Sequence, residues 1–248
     1  MNDNIEDKSK KVKRLRRGIH LLPSMLTVSS MFLGFYSIIA SQQGRVTVAC
    51  WAILVAMIFD SLDGRVARMT NTQSEFGAQL DSLADLVSFG LAPAFLVYFW
   101  QFVHYGKLGW LVSFVIMTCT ALRLARFNSS SEQENKRYFR GLPCPFAATI
   151  ITAMIWGCYQ YGFSSDTFVY ASMIVCVFIA LLMVSTIRYR SFKDFDLRKN
   201  VSFYVILAFV FLLTLLVCWP IIVLFSTTFV YALARPVMVI YRIFFRSK

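Results

Sequence analysis

The sequence predicts an all-α integral membrane protein, a polytopic bundle of about eight transmembrane helices. Two observations carry that reading. Hydrophobic residues make up 58% of the 248-residue chain and charged residues only 15%, whereas a soluble domain carries about 25% charged residues. The apolar residues also gather in separate long runs, with the charges in short blocks between them. In a soluble protein a net charge of +12 would suggest a nucleic-acid partner. Distributed in this way it points to cytoplasmic loops facing anionic membrane lipids, and not to nucleic acid.

Residues 1–18 read as a basic, irregular tail and juxtamembrane anchor, because Lys8 to Arg17 is dense in Lys and Arg. The run that follows is too long for a signal peptide and lacks a small-residue cleavage site. A first span is expected over 21–40, with Pro23 in the opening helical turn. Ser24, Thr27, Ser29, Ser30 and Gly34 give it one small, polar side, suited either to close helix packing or to lining a polar cavity. A second span covers 46–59, and its helix should run on through an acidic pair. Further spans are expected over 77–102, 108–127, 146–161 and 168–187, with polar loops after the fourth and sixth. The stretch 201–233 exceeds the ~20 residues of one crossing and reads as two spans turning near Trp219 and Pro220. The chain thus divides into the tail 1–18, a six-span membrane domain 19–200, and a segment 201–248 with two additional spans and a basic tail.

With both ends in the cytoplasm, all but Arg45 and Lys107 of the 25 Lys and Arg fall on the inner side, a strong positive-inside pattern. Asn128-Ser129-Ser130 matches a glycosylation sequon but falls on that inner side and reads as chance. The six Cys show no CxxC spacing and read as small buried hydrophobes. His20 and His104 lie near span ends without a partner at metal-ligand spacing.

The stretch from Asp60 to Asp85 breaks the apolar pattern. Asp60 and Asp63 are three apart and Asp81 and Asp85 four apart, so on helices each pair shares a face. Asn71-Thr72 is a polar break that lets the two helices fold back on each other. Unpaired carboxylates at a membrane are costly and usually functional. Two facing pairs make a cage for hard divalent cations such as Mg2+ or Mn2+. Gly64, Ala67 and Gly77 lie on the same faces and permit close approach. Arg68, one turn past Gly64, is placed to meet phosphate.

Asp60-x-x-Asp63-Gly64-x-x-Ala67-Arg68, eight residues, then Gly77-x-x-x-Asp81-x-x-x-Asp85, matches without gaps the signature of the CDP-alcohol phosphatidyltransferases. Within that superfamily the chain resembles the CDP-diacylglycerol--serine O-phosphatidyltransferases. The segments that carry this are LLPSMLTVSSMFLGFYSI in the first span, DLVSFGLAPA from Asp85, RLARFN at 123–128, FRGLPCP at 139–145 and LMVSTIRYRSFK at 182–193. The resemblance spans roughly residues 18–200, and the last two spans add little to it.

The resemblance implies attack of an alcohol on the β-phosphorus of a CDP-linked lipid, with release of CMP. The substrates would be CDP-diacylglycerol and L-serine, and the cofactor two divalent ions, Mg2+ or Mn2+. Asp60 and Asp81 would touch both ions, Asp63 one and Asp85 the other, and Asp85 would take the proton of the serine hydroxyl. Ser24, Thr27, Gly64, Arg68, Ser74 and Gly77 would line the CDP-lipid site. Ser24 stands where the family more often has Asn, and Ser74 reads equally well as a helix cap. A serine carboxylate calls for Arg or Lys. Arg123, Arg126 and Arg140 lie on the inner side, with Arg126 and Arg140 the first choices. The family implies a homodimer and a multi-pass protein of a bacterial-type plasma membrane, with its site facing the cytoplasm. Other acceptors remain as alternatives: glycerol 3-phosphate, inositol phosphate or choline. An ion-coupled transporter would instead show acids scattered at mid-membrane and paired repeats.

Overall fold

The computed structural model describes residues 2–70, 72, 74–129, 138–190 and 203–245. The chain folds as α1 (Asn2–Gln42), α2 (Val46–Met69), α3 (Glu75–Asp85), a π-helical segment (Leu86–Leu91), α4 (Ala92–Trp100), a 3-10 turn (Phe102–Tyr105) and α5 (Gly106–Ser129). After these come β1 (Tyr138–Arg140), α6 (Cys144–Gln160), α7 (Asp166–Val184), β2 (Arg188–Arg190), α8 (Phe203–Cys218) and α9 (Pro220–Phe245). Six stretches are long and apolar enough to cross a membrane: Leu22–Gln42, Val46–Met69, Glu75–Trp100, Phe102–Ser129, Asp166–Val184 and Pro220–Met238. The protein is therefore an integral membrane protein with six candidate spans among the described residues.

The expectation of about eight spans meets two short helices, α6 with 17 residues and α8 with 16. At 1.5 Å per residue, α6 extends about 25 Å, short of the ~30 Å hydrocarbon layer. It lies at the centre of the bundle, with Ala147, Ala148, Ile150, Ile151, Ala153 and Ile155 all buried. The long 201–233 run does divide at Trp219, between the end of α8 at Cys218 and the start of α9 at Pro220.

Two local expectations are revised. The chain is helical from Asn2, so the basic block extends α1 and is not an irregular tail. Pro23 consequently sits inside a helix and not in its first turn. It cannot donate to the carbonyl four residues back, and its own carbonyl accepts from Thr27 Oγ1 at 3.0 Å. The architecture is all-α as expected, with one short ribbon between its helices. The short strands β1 and β2 pair antiparallel, with Phe139 opposite Tyr189, and tie the two polar loops together. Gly141 follows β1 with φ +78°. Its N–H donates to Ile187 O at 2.9 Å, and Leu142 N–H donates to Leu182 O at 3.1 Å.

Small residues set the spacing around the site. The side of α1 bearing Ser30, Gly34, Ser37 and Ser41 is packed tightly. Ser30 Oγ donates to Ala56 O and Ser37 Oγ to Ala49 O, both at 3.0 Å. Ser88 Oγ, in the π segment, donates back to Ser30 O at 2.9 Å. Gly34 lies so close that a Cβ there would be 2.7 Å from Ser88 Cα. Both readings of the α1 face hold, at different heights: Ser30 to Ser41 pack, whereas Ser24 and Thr27 line a cavity. Phe89, Leu96, Ile116, Ile155, Ile179 and Met183 fill the core. Phe32, Trp51, Phe114, Ile174 and Phe211 are exposed, as lipid-facing side chains of a membrane bundle should be. Of the six Cys, all free, Cys50, Cys119, Cys144 and Cys176 are buried, Cys158 is half-buried and Cys218 is exposed. His104 closes the 3-10 turn at a span end, and the side chain of His20 lies outside the described residues.

Candidate active site

The α2–α3 connection builds the site. α2 runs past Asp60 and Asp63 to Met69. Thr72 N–H then returns to Ala67 O at 3.0 Å, and Thr70 and Thr72 hydroxyls meet at 2.7 Å. Asn71 and Gln73 lie outside the described residues. Ser74 starts α3 as its N-cap, its Oγ accepting from Gly77 N–H at 3.0 Å, which satisfies one of the four free donors of a helix start. A Cβ on Gly77 would come within 3.1 Å of that Oγ. The absent side chain at Gly77 therefore makes room for the cap, a reason that spacing alone does not supply.

The reversal brings Asp60, Asp63 and Asp81 together, and each offers a carboxylate oxygen within 4.8 Å of the others. Asp85 lies within side-chain hydrogen-bonding reach of Asp60. Thr27 of α1 is within hydrogen-bonding reach of Asp63. Asp63 Oδ2 and Asp85 Oδ1 are buried without a hydrogen-bond partner. Buried carboxylate oxygens normally have partners, and four acids crowded at a membrane repel one another. A hard divalent cation is the ligand class that relieves both conditions with oxygen donors of this kind. The residues present fit such an ion.

Beside the acids lies a cavity of ≈ 290 Å³, about the lower end of small-molecule sites. Its wall contains Ser24 and Thr27 from α1, Asp63, Gly64 and Arg68 from α2, and Ser74, Gly77 and Asp81 from α3. Pro23, Ala67, Thr72 and Ala78 complete it. Pro23, Thr72 and Ala78 carried no site expectation from the sequence. Thr72 is the one that could have been found there, because it sits in the polar break itself. Gly64 keeps the wall open beside Arg68, whose Nη2 is the nearest atom to a Cβ built at Gly64, at 4.0 Å.

The arginines fall elsewhere. Arg126 Nη2 donates to Ser185 O at 3.3 Å, joining α5 to the end of α7, and is not among the cavity residues. Arg140 has its backbone in β1, and its side chain lies outside the described residues. Arg123 is the arginine that reaches Asp85 electrostatically. Its Nη1 donates to Cys144 Sγ at 3.1 Å, and its Nε is buried without a partner. Asn128, of the sequon, is bonded to Ser82 of α3 at 3.0 Å.

Known proteins resemble this chain along most of its length. A Helicobacter pylori CDP-diacylglycerol--serine O-phosphatidyltransferase is 37% identical over 195 residues, covering 78% of this chain and 82% of the relative. An archaetidylserine synthase of Methanothermobacter thermautotrophicus is 38% identical over 170 residues, 68% of this chain and 69% of the relative. A Mycobacterium tuberculosis CDP-diacylglycerol--serine O-phosphatidyltransferase is 36% identical over 156 residues, 60% of this chain and 54% of the relative. The family model for CDP-alcohol phosphatidyltransferases matches residues 20–187, from α1 through the end of α7 and the whole acidic stretch. The chain belongs to the CDP-alcohol phosphatidyltransferase family, a family of phosphotransferases.

Proposed function

We propose that the protein transfers the phosphatidyl group of CDP-diacylglycerol to the hydroxyl of L-serine, giving phosphatidylserine and CMP. One observation carries the reading. A single cavity joins Arg68, Gly64, Ser24, Thr27 and Ser74 to the carboxylates Asp63 and Asp81. The names of the relatives, two of them serine O-phosphatidyltransferases, support serine as the acceptor.

The residues take the following roles. Asp60, Asp63, Asp81 and Asp85 would hold two divalent ions, Mg2+ or Mn2+. Bound divalent cations supply Lewis-acid neutralisation of phosphate oxygens. Arg68 offers planar, charge-assisted hydrogen bonds to the pyrophosphate. Gly64 and Gly77 leave room for the nucleotide, and Ser24, Thr27 and Ser74 offer it hydroxyls. The serine hydroxyl attacks the β-phosphorus, a new P–O bond forms, and the bond to the CMP oxygen breaks. The hydroxyl proton passes to Asp85, whose Oδ1 accepts no hydrogen bond from the protein. Arg126 and Arg140 are the cations the sequence offers for the serine carboxylate. The positive-inside distribution supports eight crossings with the site facing the cytoplasm, and family analogy supports a homodimer.

Labelled CDP-diacylglycerol offered with a panel of alcohols tests the acceptor. Serine should give phosphatidylserine and stoichiometric CMP. Turnover with glycerol 3-phosphate or choline, but none with serine, would overturn the assignment. Asp85→Asn should abolish CMP release while the folded protein still binds CDP-diacylglycerol. Retained turnover in that variant would remove Asp85 as the proton acceptor.

A further inference from the structure

The reversal between α2 and α3 carries a residue whose hydrogen-bonding polarity is fixed before any ligand arrives. Thr72 is buried and belongs to the cavity wall, as do Arg68, Ser74 and Gly77. Its backbone N–H is committed to Ala67 O at 3.0 Å. Its hydroxyl meets that of Thr70 at 2.7 Å, and Thr70 Oγ1 also lies 2.8 Å from Val66 O. A carbonyl oxygen can only accept, and each hydroxyl brings one hydrogen. Thr70 must therefore donate to Val66 O, and Thr72 must donate to Thr70. Both donors of Thr72 are committed, and what its Oγ1 has left for a ligand is a lone pair. Ser74 is the converse: its Oγ accepts from Gly77 N–H at 3.0 Å and keeps its hydrogen to give.

The cavity also has a direction. Asp63 and Asp81 stand where the carboxylates gather. Arg68 folds back toward Gly64, its Nη2 lying 4.0 Å from a Cβ built there. Phosphates therefore belong at that end. Ser74 precedes Asp81 by seven residues, about 10 Å of helix axis. A nucleoside diphosphate held by its phosphates at the acids extends its base over such a span, to Thr72 and Ser74. Cytosine offers there a 4-amino donor beside the N3 acceptor, whereas uracil carries a 4-oxo acceptor beside an N3–H donor. The lone pair of Thr72 and the hydrogen of Ser74 match the first pattern and oppose the second.

We propose that Thr72 selects the base: its hydroxyl oxygen accepts from the 4-amino group of cytosine and rejects the 4-oxo group of uracil. Thr70, which is not among the cavity residues, holds Thr72 in that accepting state. The inference rests on the cavity taking a CDP-lipid, and goes beyond it by naming what distinguishes CDP from UDP.

The experiment titrates the full chain, in detergent micelles with Mg2+, with CMP and with UMP by calorimetry. The wild type should bind CMP about tenfold or more tightly than UMP, the range for one hydrogen bond made or left unmade. Thr72→Val keeps the branched shape without the hydroxyl. It should lose about tenfold for CMP and nothing for UMP. Thr72→Ser, which retains the hydroxyl, should keep the wild-type preference. Thr70→Val removes the acceptor of the Thr72 hydrogen, which is then free to turn to the ligand. UMP should bind that variant more tightly and the preference should narrow, although Thr70 touches no ligand. Unfolding midpoints of the same samples separate loss of the hydroxyl from loss of the fold. Equal wild-type affinities for the two nucleotides would overturn the proposal. An equal loss for both in Thr72→Val would do the same, since it puts the hydroxyl on the ribose. An unchanged preference in both Thr72→Val and Thr70→Val would also overturn it. A wild type that binds neither nucleotide would instead strike the CDP-lipid reading of the cavity, and this inference with it.

Discussion

Gly34→Ala probes the packing that positions the site. A Cβ there would lie 2.7 Å from both Cα and Oγ of Ser88. Carbon atoms rest about 3.5 Å or more apart, so α1 and the π segment would have to separate by about 0.8 Å. The serine hydroxyl can rotate away, but its Cα is backbone and cannot. Separation also stretches the 2.9 Å bond from Ser88 to Ser30 O. Overpacking of this kind costs about 1–3 kcal/mol, and loss of a buried hydrogen bond adds about 1 kcal/mol. Ser88 is three residues beyond Asp85, so the displacement reaches the carboxylates. A misplacement near 1 Å can cost on the order of 100-fold in rate. The assay pairs thermal unfolding in detergent with CMP release from CDP-diacylglycerol and serine. The variant should show a lower unfolding midpoint and a rate reduced by about 10- to 100-fold. Gly34→Ala with Ser88→Gly should recover part of both, because the clash with the Ser88 side chain is then gone and only the crowding against the backbone persists. A single variant with wild-type midpoint and wild-type turnover would refute the close approach of α1 to the π segment.

Ser74→Ala should cost about 1 kcal/mol through loss of the α3 cap, read as a lowered unfolding midpoint. Its KM for CDP-diacylglycerol should also rise; Ser74→Asp, which keeps a cap acceptor, should restore the midpoint. Gly141→Ala meets both a φ of +78° and a distance of 2.2 Å to Met183 O, so little monodisperse protein should survive size-exclusion chromatography; a normal yield would contradict the turn geometry. Chelation should stop CMP release by the wild type, and excess Mg2+ or Mn2+ should restore it. Asp63→Asn should need more metal for half-maximal rate, and turnover that survives chelation would remove the ions from the reaction.

The acidic site was legible because its information is local. Asp60, Asp63, Asp81 and Asp85 are fixed by helical spacing, and one short reversal brings them together, so reading the faces suffices. The apolar runs likewise give the long helices directly. Elsewhere long-range packing decides, and sequence patterns do not reach it. Nothing local shows that the residues around Pro23 continue as helix, because Pro suits a first turn better than an interior. The β1–β2 ribbon pairs residues some fifty positions apart, beyond any periodicity. Arg126 and Arg123 share one helix and one sequence motif. Only the folded arrangement turns Arg123 to Cys144 at the start of α6 and sends Arg126 to Ser185 O at the end of α7. Spacing makes Gly77 a place for a ligand, whereas its closeness to the Ser74 cap emerges only from the folded helix start.

The π segment Leu86–Leu91 begins immediately after Asp85. A π turn takes in one more residue than an α turn, and in an α-helix each residue advances the face by about 100°. The carboxylate face of α3 and the packing face of α4 are therefore out of phase by one residue, though both belong to a single span. Asp81 and Asp85 can point at the site while Phe89, Ala92 and Leu96 point at the core. The span works as two screws of different phase joined by a coupling. Deleting one residue between 86 and 91 would remove that coupling and leave a continuous α-helix of nearly the same length and hydropathy. Such a chain would still insert, yet it could not aim its aspartates and seat its core side chains together. Loss of activity with normal membrane insertion is the signature that separates this phase role from a simple hydrophobic one.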